Sequence, residues 1–199
     1  MSGSLDIRWA GPYALLPRGA RSVGEMKAWE APGVYIIGIP TKTGFLPYWA
    51  GYTQKKFSDR LFAHPKEFLI GSYDILDVHK MTQGKKELVW RGGYYWSRAD
   101  PKDWRALSRF VKNLPALASQ LQALLRALQV LLGAMTCERR LNERVEAAIM
   151  HALFNSSRDQ RALYSKAMRL HPRRGDESPI PFSSRFPCTV RGLPARLTA

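Results

Sequence analysis

Residues 34–39, Val-Tyr-Ile-Ile-Gly-Ile, form a β-branched and aromatic run between Pro32-Gly33 and Pro40. Such a run bounded by turn-forming residues predicts a strand. Residues 41–44 read as a turn and residues 45–52 as a second, aromatic-rich strand, so the pair predicts a hairpin. Thr53 stands where a helix cap belongs. A helix is expected from 54 to about 64, stopped by Pro65. Residues 72–78 alternate, with Tyr73, Ile75 and Leu76 among Asp74 and Asp77, and predict a third strand. Between 79 and 100, Gln83-Gly84 and Gly92-Gly93 punctuate an aromatic cluster of Trp90, Tyr94, Tyr95 and Trp96, which suggests another hairpin.

From Asp103 the period changes. Leu117, Leu121, Leu124, Leu128, Leu131 and Met135 recur at three- and four-residue steps and mark one helix face over 117–135. Gly133 and Thr136 suggest a break before a second helix over about 138–154. Residues 1–32 are rich in Gly and Pro and read as an irregular lead-in anchored by Trp9, Tyr13 and Trp29. After Asn155 the chain is basic, and Pro179, Pro181, Pro187 and Pro194 suggest an extended end. These elements predict an α+β protein.

The chain has 199 residues, with 31 Lys+Arg against 16 Asp+Glu and a formal net charge of +15. That excess predicts a polyanionic partner, nucleic acid before an anionic membrane surface. Cys137 and Cys188 are the only cysteines, which excludes a disulfide framework and a Cys-based zinc site. Residues 1–10 carry Asp6 and Arg8 without an apolar core, unlike a signal peptide. The most apolar stretch, 114–135, is interrupted by Pro115, Gln120, Gln122, Arg126 and Gln129. A membrane span needs about 20 predominantly apolar residues, so no membrane association and a cytoplasmic location are expected.

Three places carry candidate chemistry. Arg60 and His64 lie one helical turn apart, with Phe57 and Leu61 in the adjacent stripe. A guanidinium beside an imidazole can bind a phosphate and move a proton; a solvated face at a helix end has the same spacing. Glu146 shares a stripe with Ile149, Met150 and Leu153, and a carboxylate there needs a divalent cation or an Arg. The alternative is a boundary Glu that reaches water or pairs with Arg139 or Arg140, and Glu143, one turn earlier, is the candidate at the rim. On the hairpin, a strand tyrosine such as Tyr35 is usually core or sheet surface, and Gly51 inside a strand pattern suggests a bulge or close backbone approach.

The order of these features resembles the GIY-YIG nuclease family. Residues 32–37, Pro-Gly-Val-Tyr-Ile-Ile, resemble its first motif; Trp49-Ala50-Gly51 stands at the second, followed by Arg60 with His64. Glu146 and Asn155 occupy the positions of the later helix. The resemblance spans roughly 30–157, with two departures. Trp49 replaces the second motif's Tyr, with Tyr48 turned to the other face by a one-residue slip and Tyr52 beyond the glycine. Residues 79–135 look like an insertion. The family fold implies a small central antiparallel sheet flanked by helices, here with extra helices inserted. Residues 33–157 would form the nuclease domain, between the lead-in and a basic extension over 158–199.

The resemblance implies metal-dependent hydrolysis of DNA, with RNA as a further possible substrate. Glu146 would hold one Mg²⁺ or Mn²⁺, Arg60 would clamp the phosphate, and Tyr35 would position or deprotonate the attacking water. His64 would hydrogen-bond Tyr35 or relay the proton, with Gly33, Trp49, Gly51 and Asn155 in support. Lys55, Lys56, Arg158, Arg161, Arg173 and Arg174 would grip the nucleic-acid backbone. Trp49 favours the rival reading, a catalytically impaired binding protein on the same scaffold. The apolar face over 117–135 is a candidate homodimer contact.

Overall fold

The computed structural model describes residues 4–16, 27–92, 104–156 and 170–199. Its strands are β1 (Leu5–Ala14), β2 (Gly33–Thr41), β3 (Gly44–Thr53), β4 (Ile75–Leu76), β5 (Leu88–Trp90), β6 (Gln129–Ala134), β7 (Pro181–Arg185) and β8 (Arg196–Thr198). Four helices stand among the described residues: α1 (Phe57–Leu69), α2 (Val78–Thr82), α3 (Trp104–Ala127) and α4 (Arg139–Ser156). Six strands form one sheet in the order β3-β2-β6-β1-β7-β8, while β4 and β5 pair separately. The α+β expectation holds. Each pairing in the main sheet is antiparallel except β1 with β7.

The predicted hairpin is β2 and β3, with Tyr35 opposite Gly51. β2 also pairs with β6, so Val34, Tyr35, Ile36, Ile37 and Ile39 are all buried. A strand covered on both faces accounts for the uninterrupted apolar run. The hairpin has helices on both sides. Tyr35 and Trp49 point to α1, where they meet Phe57 and Phe68. Tyr52, one step out of phase, reaches Glu143 on α4, and the Ala50 amide donates to Met150 Sδ.

Several expectations are corrected. Residues 1–32 are not an irregular lead-in throughout, because β1 lies inside the sheet between β6 and β7. Residues 5–9, Leu-Asp-Ile-Arg-Trp, alternate as a strand should; Gly11 and Pro12, at a register shift, disguise the continuation. The helix over 117–135 is two elements. α3 ends at Ala127 and β6 takes over at Gln129, pairing with β2 and β1. Apolar spacing alone does not distinguish a buried helix from a buried strand. Residues 79–135 therefore include a strand of the main sheet and are not simply an insertion. All six side chains of the stripe are buried within this chain.

The predicted third strand shrinks to Ile75–Leu76, paired with β5. Its polar neighbours have other work: Asp77 accepts from the Lys80 amide to cap α2, and Asp74 from the Gly92 amide. α1 starts later than expected, where the Phe57 amide donates to Ala31 O, and it runs through Pro65. Proline removes one helical hydrogen bond, but Phe57, Leu61 and Phe68 hold the helix to the core on both sides of it. Trp90 and Gly92 are described; Tyr94, Tyr95 and Trp96 lie outside the described residues.

The basic end is also part of the fold. β7 pairs with β1 and β8 with β7. Arg140 forks onto both Glu177 carboxylate oxygens at 2.6 Å, and Arg144 Nη2 donates to Ser178 O and Ala199 O. Phe182 is 2% exposed. Phe182→Ala should therefore destabilise the protein by about 3–5 kcal/mol, measured by urea unfolding, whereas an unattached tail would give no change.

Candidate active site

β2 carries Tyr35 beneath α1, and the site is assembled around its hydroxyl. Tyr35 and His64 are each 1% exposed. Tyr35 Oη lies 2.9 Å from His64 Nε2, and Arg60 Nε donates to it at 3.2 Å. Both α1 residues therefore meet one strand residue, as the spacing of Arg60 and His64 allows. A Cβ on Gly51 would overlap the Tyr35 hydroxyl and the ring carbon bearing it. Gly51 is thus the space in which the phenol lies. Gly33, at φ +147°, has the same relation to β6, where a Cβ would strike Gly133 O.

His64 continues the hydrogen-bonded line, its Nδ1 lying 3.0 Å from Tyr73 Oη. Trp49 packs across the His64 and Tyr73 rings, with centroids 5.1 and 5.6 Å away. Tyr73 was not a predicted site residue. It follows α1 in an irregular segment, and no local spacing ties it to His64.

The other tyrosines near the second motif are engaged elsewhere. The register shift at Ile37/Gly38 lets Tyr48 pack on Trp49 and Phe68, instead of turning wholly to the other face. Its hydroxyl donates to Asp74 O at 2.6 Å. Tyr52 donates to Glu143 Oε1 at 3.0 Å.

Arg139 and Arg140, the alternative partners for Glu146, pair with Glu143 instead. Glu146 has no hydrogen bond or ion pair among the described residues, although a charge on it would be felt at Tyr35. Burial pushes its carboxyl up to about 8; Arg60 opposes that shift and Glu143 adds to it. Burial also raises the Tyr35 phenol to about 12, against the pull of Arg60. His64 is driven down to about 3 by burial and then by Arg60. The resting site therefore has a neutral phenol, a neutral imidazole and a largely protonated carboxyl around one guanidinium.

No cluster of three or more His, Cys, Asp or Glu among the described residues forms a ready-made metal cage. A single half-buried carboxylate with no ion pair among the described residues could hold Mg²⁺, which keeps waters and takes phosphate oxygens as ligands.

Other predicted residues lie apart. Asn155 is exposed, nine positions beyond Glu146. That is about 13 Å along the helix axis and about half a turn around it, so Asn155 is not brought into the site. Lys55 is exposed and Lys56 is ion-paired with Glu30. Arg173 and Arg174 are exposed on the turn organised by Glu177; Arg158 and Arg161 lie outside the described residues.

Comparison with protein-family models, curated proteins and solved structures finds no match.

Two outcomes follow from this packing and charge. Gly51→Ala should cost about 1–3 kcal/mol by displacing Tyr35, read as a lower urea midpoint. The folded Glu146 carboxyl stays protonated to about 8 against 4.5 for the free group. Between those values the unfolded chain binds fewer protons, so stability falls as pH rises. Glu146→Gln removes this loss and should raise Tm at pH 8 by about 5 °C, with a smaller gain at pH 5, followed by calorimetry.

Proposed function

We propose that this protein is a metal-dependent endonuclease that hydrolyses phosphodiester bonds of DNA with a site of the GIY-YIG kind. The observation that carries this reading is the convergence of Arg60 and His64 on the Tyr35 hydroxyl, at 3.2 and 2.9 Å. Once ionised, Glu146 would act electrostatically on the same hydroxyl. Residues distant in sequence supply a phosphate-binding cation, a buried phenol, an imidazole and a carboxyl. Phosphoryl transfer needs this combination of charge stabilisation and proton handling.

In this reading Arg60 holds Tyr35 through Nε and its guanidinium would reach a nonbridging phosphate oxygen, where charge develops. Tyr35 accepts a proton from the attacking water. Its raised pKa keeps the phenol protonated at rest, so its oxygen can take a proton only as it passes its own to His64, with Arg60 easing the charge. A divalent cation on Glu146 would stabilise the scissile phosphate and leaving oxygen when bound. Loading it requires Glu146 to release its proton. Lys55 lies free of the Lys56–Glu30 pair at the entrance to α1 and suits a phosphate contact. The +15 net charge supplies the sequence-independent attraction.

The rival reading, a nucleic-acid-binding protein without turnover, is favoured by Trp49. Its indole occupies the place where the resemblance expects a second phenol. Plasmid nicking separates the two. Cleavage with Mg²⁺ or Mn²⁺ should fall at least 100-fold in Glu146→Ala and in Arg60→Ala. Equal cleavage by wild type and Glu146→Ala would rule out the nuclease reading. Salt-sensitive DNA binding without cleavage, retained in both variants, would establish the rival.

A further inference from the structure

The hydrogen-bonded line at Tyr35 does not stop at His64. It passes through the buried imidazole to Tyr73, whose side chain is half-buried where that of His64 is not exposed. Neutral imidazole has one donor and one acceptor nitrogen. The line therefore has two possible polarities. Arg60 Nε–H already points at the Tyr35 oxygen, which favours directing the phenol's own proton to His64 Nε2. His64 Nδ1–H then donates to the Tyr73 oxygen.

We infer that Tyr73, acting through His64, is the outlet by which the proton taken from the attacking water leaves the site. This inference rests on the nuclease reading. The proton count closes. Water gives a proton to the Tyr35 oxygen as Tyr35 passes its own to His64 Nε2. His64 releases the Nδ1 proton to the Tyr73 oxygen, and the former hydroxyl proton of half-buried Tyr73 passes out to solvent, directly or through the neighbours that Tyr73 meets. The hydroxide oxygen bonds to phosphorus, the bond to the leaving oxygen breaks, and that oxygen takes a proton from solvent. Rotation of the two phenol hydroxyls and return of the imidazole tautomer reset the line.

The burial of the site gives this route its purpose. Tyr35 ionised alone and His64 protonated alone would each leave a charge in a place that disfavours it. Concerted transfer along the line leaves neither. Tyr73 does not touch the reacting atoms and is a positioning residue. Phe68, Trp49 and His64 hold its ring at centroid distances of 5.2, 5.6 and 5.8 Å. Phenylalanine can keep those contacts and lose only the hydroxyl.

The test uses the full chain, its ¹⁵N-histidine form and Tyr73→Phe. In the wild type, the His64 ring is recognised by cross-peaks to Trp49 and Tyr73. It should carry its proton on Nδ1, with a signal slow to exchange, and that signal should broaden in Tyr73→Phe. A wild-type ring protonated only at Nε2 would overturn the inference, because the Tyr35 proton would have no acceptor. In plasmid nicking, Tyr73→Phe should lower kcat by about tenfold or more with KM for DNA unchanged. The solvent-deuterium inventory should be bowed in wild type, as several protons move together, and straight in the variant. An unchanged kcat with a bowed inventory in a folded variant would overturn the outlet alone. Absence of cleavage by the wild type would overturn the nuclease reading and the outlet with it, while the imidazole spectrum separately reports whether the line is polarised as described. If Tyr73→Phe does not fold, the wild-type tautomer and inventory still decide the inference.

Discussion

The Tyr35 ring can lie across β3 because residue 51 has no side chain, and the rest of the site depends on that close approach. A Cβ at this position would overlap the phenol. The ring also packs edge-on to Phe57 at the start of α1. One strand–strand contact thus sets the position of the hydroxyl and the place where the helix lands. Arg60 and His64 then reach the same atom from successive turns.

Burial makes this arrangement electrostatically tense. The phenol, imidazole and carboxyl around Arg60 are each shifted toward their neutral forms, with burial the largest cause. In the proposed reading such a site would take up opposite charges together, a phosphate at Arg60 and a cation where Glu146 ionises. Glu143 shows the contrast within one helix. Although burial opposes ionisation there too, Arg139 and Tyr52 hold its carboxyl below the usual range. Neighbouring glutamates, one turn apart, are a structural pair and a candidate ligand because of what each faces.

The basic residues divide similarly. Arg140 and Arg144 bind the C-terminal segment through Glu177 and backbone carbonyls, and Arg185 pairs with Asp6. These cations are committed to the fold. Net charge alone overstates the positive surface left for a polyanion, because part of it fastens β7 and β8 to the sheet.

The sequence by itself determined the hairpin, the existence of α1 and α4, and the pairing of Arg60 with His64 on one helix face. Each depends on local period or turn chemistry. It also marked Tyr35, Gly51 and Glu146. Tertiary structure decided the rest. The stripe from Leu117 to Met135 contains a helix and a strand because β2 and β1 offer pairing partners to 129–134, and apolar spacing does not encode a partner. The alternation at 5–9 marks only the start of β1, and its place in the sheet beside β7 follows from pairing alone. Tyr73 belongs beside His64 because the chain after α1 folds back over Trp49, a contact between elements that leaves no mark in residue order.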